Sequence, residues 1–159
     1  MKLFFKLGKY KAIDELENIA EDVIPGEVSR QALLELEKML PEFIKNKNVK
    51  ELKFLGQYSS GEVKNQAISE LGKMIPEFIR IKALKELKFL GLYACGETAK
   101  QTIKGLGKLN AASELGYITI FASSKETQEQ AKIELNKIED EKKMKTTVNE
   151  IKELVKELD

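Results

Sequence analysis

Residues 26–60 read GEVSRQALLELEKMLPEFIKNKNVKELKFLGQYSS, and residues 61–95 read GEVKNQAISELGKMIPEFIRIKALKELKFLGLYAC. The blocks align without a gap and are identical at 22 of 35 positions, so the chain is built by repetition. Working outward, residues 96–124 form a third, shorter copy and residues 125–159 a fourth, more diverged one. Upstream, LGKYKAIDEL at 7–16 aligns with LGKLNAASEL at 106–115, which makes residues 1–25 a partial unit. One domain of five repeat units over residues 1–159 is expected.

Each unit carries two helical patterns. Val63, Ala67, Leu71 and Met74 recur at spacings of four, four and three, which places them on one helical face. Leu84, Leu87 and Leu90 mark the other helix, with Phe89 and Tyr93 one position off the stripe. Pro41 and Pro76 stand where a first helical turn tolerates a missing N–H. No segment alternates with period two, so the fold is all-α, with nine or ten helices. The connector from Lys73 to Glu86 is seven residues longer than that from Lys108 to Glu114. Seven residues are two helical turns, so PEFIKNK and PEFIRIK lengthen or kink a helix without changing the facing of the next. The almost wholly charged EDEKKMK at 139–145 reads as a solvated linker, followed by a separate helix over 147–158. Thr147 and Glu150 would form its capping box, and Val148, Ile151, Val155 and Leu158 an apolar stripe that we read as docking on the last unit, its presentation to another chain being the alternative.

The string VKNQAISELGKM at 63–74 resembles the second helix of a HEAT repeat, and TAKQTIKGLGKL at 98–109 keeps the frame with Thr102 in place of Ala. The expected basic position is instead Ser29, Ala99 or Gln128 in other units. Tetratricopeptide and pentatricopeptide units have similar lengths but fit the turn and proline spacing less well. The resemblance implies a right-handed α-solenoid of about five stacked antiparallel helix pairs. It carries no activity with it, and it implies a non-enzymatic scaffold that binds another protein on its concave face.

Composition removes several chemistries. The chain has no His and no Trp, and Cys95 is its one cysteine. An internal disulfide, a His or multi-Cys zinc site and any imidazole triad are therefore impossible. HEAT-like hydroxylases need His-Glu motifs, which this chain lacks; a bilin lyase-like protein is the enzymatic alternative. HEAT-like DNA glycosylases use a strongly basic groove, whereas here the net charge is +1, with 25 Lys and only Arg30 and Arg80. A weak nucleic-acid binder acting through the mildly basic middle units is the third reading. No cofactor or metal is expected. Without a signal-like N-terminus, and with its longest uncharged stretch ten residues (115–124), the chain is expected in the cytoplasm and off the membrane, monomeric or weakly dimeric. Rich Glu and Lys use suits a thermophile.

Three features invite a functional reading. The i, i+4 aromatic pairs Phe54–Tyr58, Phe89–Tyr93 and Tyr117–Phe121 occupy one repeat position, and we read them as core, a stacking platform being the alternative. In the outer units that position holds Asn18 and Asp22, then Glu153 and Glu157, a polar pattern expected of capping repeats. Lys38, Lys73, Lys108 and Lys137, with Lys9, form a ladder near the C-terminal end of the second helix. Either they complement helix dipoles or they line a groove suited to an acidic partner. Recurrent glycines, among them Gly91 and Gly107, imply close helix crossings. Cys95 has no partner base and is expected as a buried structural thiol.

Overall fold

The computed structural model describes residues 13–21 and 26–156, with side chains as far as residue 153. Among these residues every regular element is a helix, and there are ten. They are α1 (Ile13–Glu21), α2 (Glu27–Lys38), α3 (Leu40–Asn46), α4 (Val49–Tyr58), α5 (Gly61–Lys73), α6 (Ile75–Arg80), α7 (Leu84–Tyr93), α8 (Gly96–Lys108), α9 (Ala112–Phe121) and α10 (Lys125–Lys156). The chain divides into two compact units, one ending at Met74 and one beginning at Ile75.

In the first unit α1 packs on α2 and α4 on α5, with the short α3 touching α2, α4 and α5. Its core is Leu16, Ala32, Leu36, Phe43, Leu52, Leu55, Ala67 and Leu71. Lys50 on α4 reaches across to α1, pairing with the exposed Asp14 and, at 2.8 Å, with the buried Glu17. Burial pushes the Glu17 carboxyl above its ordinary 4.5, more than the Lys50 ammonium beside it pulls it down. In the second unit α7 packs on α8 and α9, and α10 packs on both α8 and α9. Leu87, Leu90, Leu106, Leu115, Ile118 and Ala131 are wholly buried there. Thr102, in the place the other units give to Ala32, Ala67 and Ala131, is equally buried, and its hydroxyl donates to the Thr98 carbonyl at 2.8 Å.

The long connectors kink as expected. Helices α2 and α5 stop at Met39 and Met74, and Pro41 lies in the first turn of the short helix that follows. Each connector then ends in the same device. Lys47, Lys82 and Asn110 adopt left-handed φ of 53°, 55° and 52°. Behind them Asn48, Ala83 and Ala111 donate to the carbonyls of Phe43, Phe78 and Leu106 at 2.9, 2.8 and 3.0 Å. This is a Schellman closure, which satisfies terminal carbonyls and releases the chain into the next helix.

The fourth repeat departs from expectation. Residues 139–145 are not a linker and 147–158 is not a separate helix: α10 runs unbroken for 32 residues. Counting four residues back from Glu51, Glu86 and Glu114 gives the three left-handed residues, and four back from Glu150 gives Thr146. A β-branched residue at positive φ is a genuine outlier, so the break is disfavoured there. The proline position is Asp140, and a run of Glu and Lys propagates a helix well. Thr146 and Thr147 accordingly donate back within the helix, to the carbonyls of Lys142 and Lys143 at 3.1 Å each, so Thr147 opens no capping box. The expected docking fails with it: Val148 and Ile151 are exposed. Val155 and Leu158 lie outside the residues whose side chains are described.

The expected close crossings are found at Gly91 and Gly107, and Gly105 adds another. A β-carbon at Gly105 would stand 2.6 Å from Ile79 Cδ1, and one at Gly107 2.5 Å from Glu134 Oε1. Gly91 is pressed in the same way by Ile118.

Candidate partner-binding clefts

The ladder lysines sit at the ends of α2, α5 and α8 and within α10, and all four are exposed. Lys9 lies outside the described residues. Lys38 pairs with Glu35 at 2.7 Å, Lys137 with Glu134 at 2.9 Å, and Lys73 with Glu70, each one turn back on its own helix. Lys108 differs because the residue three before it is Gly105, so that partner does not exist. It makes no ion pair among the described residues.

Within the second unit Lys108 and Lys137 open onto different clefts. Lys108 borders one of about 410 Å³ between α6 and α8, whose apolar lining is Ile75, Pro76 and Ile79. Gly105 forms part of its α8 wall, where a side chain would strike Ile79. Lys104 and Gln101 complete the rim. Lys137 borders a second cleft of about 310 Å³ between α8 and α10, with Ile103, Ile133, Lys100 and Lys104. Lys100 is engaged there with Glu126 at 3.3 Å. Lys104 lines both clefts, and sequence reasoning passed over it because its repeat equivalents, Leu34, Ser69 and Ile133, are uncharged.

The aromatic pairs form ring contacts in all three units, with centroids 4.7, 4.7 and 4.5 Å apart. They are not uniformly core. Phe54 and Phe89 are 8% and 7% exposed, but Tyr58 is exposed, and in α9 Tyr117 and Phe121 stand 43% and 58% exposed. Of the polar outer positions, Asn18 and Glu153 are exposed, and Asp22 and Glu157 lie outside the described residues. Cys95 is exposed, contrary to expectation, because it occupies the extended N-cap position of α8, where Ala94 turns inward instead. No group of three metal-ligating side chains occurs among the described residues, and no described helix is long and apolar enough to cross a membrane. Comparison with known protein families, with curated proteins and with solved structures finds no match.

Proposed function

We infer that this chain is a non-enzymatic protein–protein interaction module, a HEAT-like α-solenoid of about five helix pairs that receives an acidic partner segment at the α6–α8 cleft of its second unit. The repeat register and the packing of consecutive helices within each unit support the architecture. The binding reading is carried by one observation, the apolar α6–α8 cleft with Lys104 and Lys108 on its rim. A concave apolar floor with a few convergent polar groups is the usual form of a recognition site. Here an apolar side chain of the partner enters against Ile75 and Ile79, and carboxylates beside it meet the two ammonium groups. Desolvated apolar contact supplies the affinity, and the lysines set register and on-rate. In the first unit, and at Lys137, the ladder lysines already face a carboxylate of their own helix and contribute mainly to helix stability.

The test is affinity capture from the source lysate with the full chain and with a Lys104→Gln/Lys108→Gln variant side by side. A protein retained by the wild type at low salt, released by added salt and lost by the variant is expected. Identical retained sets for the two baits would overturn the proposal.

A further inference from the structure

One repeat position is occupied by Leu16, Leu52, Leu87, Leu115 and Ile151. The four leucines are at most 1% exposed, and Ile151 is 53% exposed. The helix that should bury it is in place, but it points away. Described residues of α10 are buried no further along than Ile138, and the part over 139–156 extends about 27 Å beyond it at 1.5 Å per residue. Met144, Val148 and Ile151, at spacings of four and three, form a bare apolar stripe on that extension.

The seat that such a helix occupies is equally bare. Helix α9 covers its predecessor α7, with Ile118 lodged against Gly91. The matching face of α9 shows Tyr117, Ile120 and Phe121 to solvent, although the residue equivalent to Tyr117 is the buried Phe89. An unbroken α10 carries its own tail away from this seat. We propose that the tail of α10 in a second copy of this chain fills it: Ile151 with its stripe neighbours covers Tyr117, Ile120 and Phe121, reciprocally, in a twofold exchange. Identical elements traded between protomers are a low-cost route to a dimer, and twofold symmetry doubles a contact too small to hold alone. Charge agrees with the pairing. Glu150 and Glu153 flank Ile151 on the tail, and the Lys88 ammonium lies 4.5 Å over the Tyr117 ring at the seat.

Three full-length variants decide it, compared with the wild type by sedimentation equilibrium from micromolar to millimolar concentration. Ile151→Glu alters the tail, Tyr117→Ser/Phe121→Ser alters the seat, and every changed residue is exposed, so far-UV circular dichroism should match the wild type. The wild type is expected to dimerise, and both variants to dissociate with constants raised by about tenfold or more. Thr146→Asn, which admits the left-handed residue found at Asn110, is expected to yield a monomer whose tail closes on its own seat. A monomeric wild type across the range overturns the exchange. So does a seat variant that dimerises like the wild type, which would mean tails pairing with tails, or a tail variant that does.

Discussion

Gly91 lies so close beneath Ile118 that a β-carbon on it would run into that side chain. The contact is where α9 packs on α7, and Ile118 is fully buried, so its end can yield only into the protein interior and not into solvent. Gly91→Ala should therefore destabilise the protein by about 1–3 kcal/mol through overpacking, less the part of ~1 kcal/mol that alanine returns as a better helix former. Gly116 supplies the control. A β-carbon there finds nothing nearer than Leu135 at 4.0 Å, so Gly116→Ala keeps the helix gain and should stabilise by up to about 1 kcal/mol. Urea unfolding midpoints of the two variants should move in opposite directions.

The aromatic positions separate by burial in the same way. Phe89→Ala removes a buried ring and should cost about 3–5 kcal/mol. Phe121→Ala removes an exposed one and should stay within about 0.5 kcal/mol of wild type in the monomer. A thermal melt in which Phe89→Ala leaves the midpoint unmoved would contradict its place in the core.

Glu17 gives a pH signature. Its folded pKa lies above the ordinary 4.5 because burial outweighs the pair with Lys50. Between those two values the folded chain holds more protons than the unfolded one, so its stability falls as pH rises through the window. Glu17→Gln removes the titration, and the stability of the variant relative to wild type should rise as pH is raised through that window. A wild type that instead gains on the variant as pH rises would show that the ion pair dominates burial. Lys50→Met, which strips the buried carboxylate of its cation, should cost about 1–3 kcal/mol at neutral pH.

Much of this was legible in the residues. The two helical stripes, the connector kink at Pro41 and Pro76 and the close glycine crossings all follow from local rules of period, turn and volume. The straight run of α10 was missed because a block of charge reads as a solvated loop, whereas what breaks the helix in the other connectors is a residue that accepts positive φ. Thr146 held that signal, visible only when the last unit is counted against the others. The exposure of Tyr117 and Phe121 was missed for a related reason. Repeat equivalence transfers a residue type, but burial also needs the next helix to arrive. Lys104 escaped because it is not part of any ladder, and only folding sets it beside Ile75 and Ile79.

The ladder lysines should not behave alike. Lys38 and Lys73 each combine a helix-terminal cation with a carboxylate one turn back, whereas Lys137, inside α10, has the carboxylate alone. Replacing all three with Gln removes the dipole stabilisation of Lys38 and Lys73, about 0.3–1 kcal/mol apiece, and three ion pairs of about 0.2–0.5 kcal/mol apiece. The sum should reach a few kcal/mol at low salt and shrink as salt is added, because the pairs are solvent-facing. Lys108 has Gly105 where those helices have Glu, so Lys108→Gln forfeits at most the dipole term and should melt close to wild type. The order reverses for binding: on the cleft proposal Lys108→Gln weakens partner capture, and the other three together leave it nearly intact. Paired measurements of melting and of capture on the two variants check this. If the triple variant loses the partner while Lys108→Gln keeps it, recognition runs along the paired lysines and the α6–α8 cleft is not its centre.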